Sequence, residues 1–428
     1  MLRGTNLVYG KQYNLRLVLE IIRLYGPLSR ADIARRTELT IQTVSNLVKE
    51  LMAAGLVHEV DRRRRKRGAP STVLAVNPEA ALTIGLDLDR DHLTGVLVDL
   101  AGNVRQRSHV ALDFPTPEQA LELMVQTVES LVAAQGVSLA DVAGIGVGVP
   151  GLMHRDPQGF GYLVKPTAFP GWHDVPLATW LYERLGVPVV LENNATAAAI
   201  GERWYGAGQE IGTFFYLYFG SGLGGGLVID GQPYPGFTGN AGEIGYLPTI
   251  LTGPAADADE RPHVGMHFRL AKIYAMLRET GAEVNEPEDL DRLLAEGHPR
   301  LLAWMDEAAD HLTGLVLAIE YMIDPEAIFF GGRLPNGVLS GLMERVAQYL
   351  PARRIGRETS APRHLLATAG ADAGALGVAT LPIYEAFAPA PHVLLKPRER
   401  QAPGPATRSP GVPRRRTGLA AMAGARLR

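Results

Sequence analysis

With 428 residues the chain is too long for one ordinary domain, so we expect two or three. The sequence contains no cysteine, which excludes disulfides, thiolate metal sites and a cysteine nucleophile. No apolar run reaches the ~18 residues of a transmembrane helix, and the N-terminus lacks the apolar stretch of a signal peptide, so we expect a cytoplasmic protein without a membrane partner.

The net charge of −3 hides an uneven distribution of charge along the chain. Residues 1–78 carry 14 Lys/Arg against 6 Asp/Glu, and residues 389–428 carry 9 against 1, whereas residues 79–388 hold 19 against 38. A compact basic module joined to an acidic body indicates a polyanion partner at one end. We therefore divide the chain into a DNA-binding domain (1–78), a body (79–388) and a Pro/Ala/Gly/Arg-rich tail (389–428) that we expect to be disordered.

Three helical patterns follow one another in the basic module. The first covers residues 14–25, the second is capped by Ser29, and the third begins at Thr40 and ends at Gly55. Two short helices joined by a tight turn, the second with a polar leading face, predict a helix-turn-helix. Short hydrogen-bonding side chains on that face suit base edges and phosphates in a major groove.

A hairpin wing is predicted directly after these helices. Strand patterns at 56–60 and 72–76 flank six consecutive basic residues, 62–67, which can reach phosphates or a minor groove. A solvated basic loop is the alternative for the charge run taken alone. The predicted DNA contacts are Ser29, Arg30, Thr40, Gln42, Thr43, Ser45, Asn46, Lys49, Arg62, Arg63, Arg64, Arg65 and Arg67.

From residue 79 the pattern changes to alternating strands and helices. A strand hairpin opens each half of the body, first in IGLDLDRDHLTGVLVD and again in GTFFYLYFGSGLGGGLVIDG, which indicates an internal duplication. Between them the strand of VVLENNATAAA ends in Glu192-Asn193-Asn194 and enters an alanine-rich helix. Polar groups at the carboxyl end of a strand are where α/β proteins hold small ligands.

These motifs, together with GVGVPG, GNAGEIGY and DPEAIFFGG, resemble the ROK family of repressors, open reading frames and sugar kinases, in its regulator branch, over about residues 10–388. The resemblance implies a multi-domain α/β architecture: an N-terminal winged helix-turn-helix plus a two-lobed actin-like (ribonuclease-H-like) sugar-kinase fold. Lobe one would cover about 79–195 plus a C-terminal helix at about 371–388, and lobe two about 196–370. The resemblance also implies a sugar site between the lobes and a homodimer or homotetramer.

Three elements of the family's kinases are altered in this sequence. The resemblance implies Asp-X-Gly-Gly-Thr at the first hairpin turn, but residues 87–91 read DLDRD, which lacks the phosphate-facing glycines and adds carboxylates that repel phosphate. It implies a carboxylate base where Asn194 stands, and an amide cannot accept the proton at neutral pH. It implies a zinc-binding His and cysteines, but Tyr246 replaces the His. We therefore expect no catalysis, metal or cofactor.

The resemblance also places the residues that would contact a sugar, namely Gly151, Asn193, Asn194, Glu243 and Tyr246. Several alternatives stay open. The two amides can instead cap the following helix, and the glycine-rich hairpin at 220–226 keeps nucleotide binding possible. The family's last sugar-contacting Glu aligns with Phe268. The segment 247–265 fits a solvated loop better than a metal site, although His263 and His267 lie near acidic residues.

The sequence therefore predicts a transcriptional regulator of the repressor type that binds double-stranded operator DNA as an oligomer and responds to a sugar or sugar derivative. One alternative is an active sugar kinase with an attached DNA-binding domain. The other is a DNA-binding protein whose body only oligomerises and senses no ligand.

Overall fold

The structure is a computed structural model that describes residues 7–63, 71–155, 162–165, 169, 171–248, 263–356 and 361–387. Arg64, Arg65, Arg67 and the tail at 389–428 therefore lie outside the described residues. None of the helices in the described part combines the length and the apolar character needed to cross a bilayer.

The N-terminal module consists of three helices and a three-stranded sheet. Its elements are α1 (Leu7–Tyr25), β1 (Leu28–Ser29), α2 (Arg30–Thr37), α3 (Ile41–Ala53), β2 (Val57–Arg63) and β3 (Ser71–Val76), and the strand order is β1-β3-β2. Ser29 and Asp32 form a reciprocal capping box at the start of α2, and Thr40 caps α3. The helix-turn-helix and the two wing strands are thus present, with α1 longer at its start than the pattern predicts.

The first half of the body is built on a five-stranded sheet. Its strands are β4 (Leu82–Leu88), β5 (His92–Asp99), β6 (Val104–Ala111), β7 (Val142–Val149) and β10 (Val189–Asn193), in the order β10-β7-β4-β5-β6. The helices α4 (Pro117–Gln135) and α5 (Leu177–Leu185) cover one face, and β8 (Leu152–Arg155) pairs with β9 (Tyr162–Lys165). Because β4, β7 and β10 are parallel, their carboxyl ends meet at one edge.

The second half repeats this plan. Its elements are α6 (Asn194–Tyr205), β11 (Phe214–Phe219), β12 (Leu223–Ile229), β13 (Gln232–Pro233), α7 (Leu270–Arg278), α8 (Pro287–Ala295), α9 (Pro299–Ile323), β14 (Ala327–Gly332), α10 (Asn336–Arg353), β15 (Arg363–Leu366) and α11 (Ala373–Phe387). The strand order β13-β12-β11-β14-β15, with β11, β14 and β15 parallel, matches that of the first sheet. The topology therefore confirms the predicted duplication.

Two helices of small residues, α6 and α11, lie between the sheets. A Cβ atom added to Gly377 would lie 1.8 Å from the carbonyl oxygen of Ala197, and one added to Gly201 would lie 2.1 Å from that of Ala373. Glycine is therefore required for this close crossing. One face of α11 packs on β4 and β7 of the first sheet. Gly85 and Gly146 in these strands let the backbone of α11 approach equally closely. We keep the division into lobes at about residue 195, with α11 in lobe one, as a proposal.

We predict that Gly377→Ala lowers the free energy of unfolding by about 1–3 kcal/mol or more, because the methyl group overlaps backbone that cannot move aside. Gly314→Ala is the matched control, since nothing lies within 4 Å of the added atom in the middle of α9. It should stabilise the protein by about 0.5–1 kcal/mol. Urea denaturation measures both, and equal stability of the two variants would contradict the close crossing.

Candidate functional site

A cleft opens between the two sheets, at the carboxyl ends of β7 and β10 and beside the turn that joins β11 to β12. It encloses about 520 Å³, a figure that includes space open to solvent. All five predicted ligand residues line it. The full lining is Arg90, Pro150, Gly151, Asn193, Asn194, Tyr218, Ser221, Gly222, Leu223, Gly224, Glu243, Gly245, Tyr246, His263, Gly265 and Arg269.

Asn193 joins the cleft to helix α6. Its side-chain oxygen accepts hydrogen bonds from the backbone N–H groups of Ala195 (2.8 Å) and Thr196 (3.3 Å), so it is the N-cap of α6. Its amide nitrogen donates to Gly151 O (3.2 Å) and to Glu243 Oε1 (2.8 Å). Asn193 therefore both caps α6 and lines the cleft, so the two alternatives hold together at this position.

Asn194 differs from its neighbour. It is the first residue of α6, it is buried, and it lines the cleft. Its side chain makes no hydrogen bond to another residue in the described part of the chain, so its amide remains available to a ligand. A neutral amide there can hold a hydroxyl group but cannot remove its proton.

Two carboxyl groups flank Asn193. Burial raises the pKa of Glu243 to about 7. Burial also raises the pKa of Glu192 to about 7, against the opposing effect of a hydrogen bond from the Asn193 N–H (2.9 Å). Of these two, only Glu243 lines the cleft. Near neutral pH it can accept a hydrogen bond as a carboxylate or donate one as the acid.

Tyr246 and His263 form one side of the cleft, with ring centroids 5.5 Å apart. The Nδ1 atom of His263 lies 2.8 Å from Gly245 O, so Nδ1 carries the proton and Nε2 can accept. Burial lowers the pKa of His263. At the end of the 247–265 segment His263 lines the cleft, whereas His267 stacks on His311 outside the lining.

The chain after that loop supplies a residue that the sequence did not indicate. Phe268 is fully buried and packs edge-to-face on Phe219, with ring centroids 5.5 Å apart, so it cannot contact a ligand in the cleft. The next residue, Arg269, lines the cleft instead. Arg90, in the turn at residues 87–91, also lines the cleft, although the sequence analysis did not include it among the ligand residues.

That turn, between β4 and β5, is tied to the second half of the body. The buried Asp89 accepts from the backbone N–H of Ser221 (3.2 Å), and Arg90 donates to Ser221 O (3.2 Å). Asp91 forms an ion pair of 2.6 Å with Arg333, at the end of β14. The carboxylates that replace the glycines therefore hold the two halves together.

A metal ion does not fit this cluster well. Asp89, Asp91 and His92 are close enough to one another to share one. However, Arg333 already lies 2.6 Å from Asp91 and 2.7 Å from His92 Nδ1, so a positive group occupies the space.

The predicted DNA-binding face lies on α3. Val44, Leu47, Val48 and Leu51 bury the opposite side of this helix in the module's core. The polar side therefore points outward, with Thr40, Gln42, Asn46 and Lys49 exposed and Thr43 and Ser45 half-buried. Gln42 and Asn46 lie within 3.5 Å of each other, one helical turn apart. This is the geometry of a recognition helix.

The remaining predicted DNA contacts differ in position. Ser29 is only 4% exposed and its hydroxyl donates to Asp32, so we leave it out of the interface. Arg30 is half-buried and lies 3.5 Å from Glu59. Arg62 and Arg63 are the last residues of β2.

The winged helix-turn-helix, the duplicated sheets and the polar cleft between them define a two-lobed, sugar-kinase-like protein with a DNA-binding module. A ROK family model matches residues 83–384, and a MarR family model matches residues 16–68. The chain belongs to the ROK family.

Similar proteins include regulators named for sugars. The xylose repressor of Bacillus subtilis (strain 168) is 30% identical over 253 residues, which are 59% of this chain and 65% of the repressor. The N-acetylglucosamine repressor of Escherichia coli O157:H7 is 27% identical over 265 residues, 62% of this chain and 63% of the repressor. The matched region therefore spans less than two thirds of each relative's length.

Solved structures confirm the predicted fold class. A ROK family transcriptional regulator, a homologue of the E. coli MLC protein, superimposes with a TM-score of 0.67 at 22% identity, covering 88% of this chain and all of the other. A ROK family glucokinase from Streptomyces griseus, in complex with glucose and AMPPNP, gives 0.59 at 24% identity, covering 70% of this chain and 99% of the kinase. At these identities the likeness concerns the fold.

We predict that Glu243→Gln flattens the pH dependence of stability. Because its pKa rises to about 7 in the folded protein, the folded state keeps a proton that the unfolded chain loses at lower pH, so stability falls as pH rises from about 4.5 to 7. Glutamine removes this loss, and the fall in unfolding temperature between pH 5 and 8 should shrink by roughly 2–4 °C per kcal/mol regained.

Glu122→Gln is the control for this measurement. It removes the same charge from the surface of α4, where a hydrogen bond from Arg184 lowers the pKa of Glu122. Glu122→Gln should not flatten the pH dependence of stability. An equal flattening in both variants would show that the raised pKa of Glu243 is not the cause.

Proposed function

We propose that this protein is a transcriptional repressor that binds operator DNA through α3 and the β2–β3 hairpin and is controlled by a sugar or sugar derivative in the cleft. One observation carries the proposal: α6 begins at the cleft and ends against the DNA-binding module. A regulator needs two sites and a physical connection between them.

Helix α6 is that connection. Its N-cap, Asn193, lines the cleft, and its last turn contains Trp204. The guanidinium carbon of Arg23, in α1, lies 3.6 Å from the centre of the Trp204 ring, a cation–π contact. Arg23 also forms a two-pronged ion pair with Glu20, with both distances 2.9 Å. A displacement of α6 at the cleft therefore reaches the DNA-binding module directly.

The contact between module and body is also apolar. Leu19 of α1 and Val76 of β3 share one continuous buried cluster with Trp204 and with Leu381 of α11. Tyr384 packs edge-to-face on Trp204, with ring centroids 6.2 Å apart. Packed interfaces of this kind adopt discrete arrangements rather than deforming gradually, which suits a two-state switch.

We infer that the cleft binds its ligand without phosphorylating it. Asn194 stands where the family's kinases have a carboxylate base, and Asp89 and Asp91 occupy the turn that would face phosphate. The names of the relatives support xylose and N-acetylglucosamine as the first sugars to test. A dimer or tetramer would match paired operator half-sites.

We predict that a sugar from a panel of xylose, glucose and N-acetylglucosamine, or one of their derivatives, lowers the DNA affinity of the full chain about 5- to 150-fold. The duplex would be selected from a random library with the protein itself, and binding followed by fluorescence anisotropy. Addition of MgATP should release no ADP. Sugar-dependent ADP release would indicate the kinase alternative, and no response to any sugar would indicate a body that only oligomerises.

Lys49→Gln tests DNA binding separately from sugar binding in that experiment. It should weaken DNA binding and reduce the salt slope of log K by about one, because one phosphate contact is lost. Its sugar affinity should remain unchanged, since Lys49 lies on the exposed face of α3, away from the cleft.

We predict that Arg23→Met weakens the coupling without weakening sugar binding. The substitution keeps an apolar stem beside Trp204 but removes the cation–π contact. Sugar affinity should stay within about twofold, whereas the factor by which sugar lowers DNA affinity should fall at least threefold. Arg184→Met, on an exposed arginine of α5, is the control. An unchanged coupling factor in Arg23→Met would show that the signal takes another route.

A further inference from the structure

The first residue of helix α3, Ile41, is an apolar side chain at the edge of the polar face of that helix. It is 60% exposed, whereas the other large apolar side chains of α3 are buried or half-buried. Its spacing from Val44 and Val48 would place it on the core side, but it is not part of the buried cluster that contains them. An exposed isoleucine contributes little to stability and leaves apolar surface in water. Packing within the module therefore does not explain this side chain.

The polar side chains beside Ile41 differ in the groups that they leave free. Thr40 and Thr43 use their hydroxyl groups on each other, with the two oxygens 2.8 Å apart, and on the cap of α3. Gln42 and Asn46 are exposed, and within the described ranges their side chains make one long hydrogen bond, from Gln42 Nε2 to Asn46 Oδ1 (3.5 Å). This pair therefore offers the amide oxygen of Gln42 as an acceptor and the amide nitrogen of Asn46 as a donor.

These groups fit an A·T base pair best. In the major groove adenine presents an acceptor, N7, beside a donor, the N6 amino group, and thymine presents a C5-methyl group. Guanine presents two acceptors, which arginine and lysine bind, and cytosine presents a donor, which carboxylates bind. Residues 41–46, at the start of α3, include no charged side chain. Because the first residues of a recognition helix are the ones that contact base edges, this composition favours A·T pairs.

We propose that Ile41 is a base-reading residue, which packs on the C5-methyl group of a thymine, while Gln42 and Asn46 bind the adenine of an adjacent base pair. The inference rests on the proposed function and specifies the bases that α3 recognises. The methyl group covers the apolar surface that Ile41 exposes, and the two amides fix the register of the helix in the groove. Lys49, one turn beyond Asn46, contacts phosphate and carries no sequence information.

Chemical changes in the DNA test this assignment atom by atom. The full chain first selects a duplex from a random library, and each thymine of one half-site is then replaced by deoxyuridine, which lacks only the methyl group. We expect one of these replacements to weaken binding about fourfold, the effect of one buried methyl group. Replacement of an adenine in the adjacent base pair by 7-deazaadenine, which lacks the N7 acceptor, should weaken binding about fivefold or more. Fluorescence anisotropy measures both changes.

Two variants connect these effects to their side chains. Ile41→Ala should no longer distinguish thymine from deoxyuridine at that position, and it should unfold within about 2 °C of the parent protein, since exposed side chains contribute little to stability. Asn46→Ala should lose the response to 7-deazaadenine and keep the response to deoxyuridine. Ile355→Ala is the matched control, because this isoleucine is also exposed (82%) but lies after α10 in the body. It should leave both responses unchanged.

Each other result has a definite meaning. If no deoxyuridine replacement weakens binding, or if Ile41→Ala keeps the response to it, Ile41 does not contact a thymine and the inference fails while the proposed function stands. If Ile41→Ala instead changes the oligomeric state in sedimentation, the isoleucine belongs to an interface between copies of the chain, and the inference fails in the same way. If the full chain selects no duplex, the proposed function fails as well.

Discussion

The close crossing of α6 and α11 is the constraint on which the rest of the molecule depends. Because Gly377 and Gly201 let the two backbones touch, the middle of α6 is held in place. Each end of α6 contacts a different part of the molecule. Asn193 and Asn194 face the cleft at one end, and Trp204 supports α1 of the DNA-binding module at the other. A helix is stiff along its axis. A small displacement of one end of α6 therefore moves the other end and is not taken up by a flexible loop.

The carboxylates of the β4–β5 turn supply contacts between the two halves of the body. In place of phosphate-facing glycines, Asp89 accepts a hydrogen bond from Ser221 and Asp91 pairs with Arg333, so the cleft is bridged by the protein's own groups. In the proposed function, this bridged arrangement favours one defined angle between the two halves, and a ligand in the cleft would shift that angle by a modest free energy.

Much of this organisation follows from local sequence rules. Ser29 and Thr40 mark the helix starts because their hydroxyls cap, and the repeated hairpins reveal the duplicated sheets because strand pattern and turn glycines are local signals. The positions of Arg269 and His263 in the cleft could not be predicted. Both follow a segment without periodic pattern, and a shift of one residue decides whether Phe268 or Arg269 lines the cleft. Charged residues that come together from distant turns also produce no recognisable pattern in the local sequence.

The hydrogen bonds of Asn193 explain how binding and signalling can use one residue. Its amide nitrogen donates to Glu243 while its oxygen caps α6, so the two bonds share one rigid planar group. In the proposed function, a ligand hydroxyl that donates to Glu243 would compete with that amide, and rotation of the amide would loosen the cap of α6. Burial raises the pKa of Glu243 to about 7, so near neutral pH this carboxyl can be either charged or neutral. We infer that the switch is triggered at this amide and carried along α6 to Arg23.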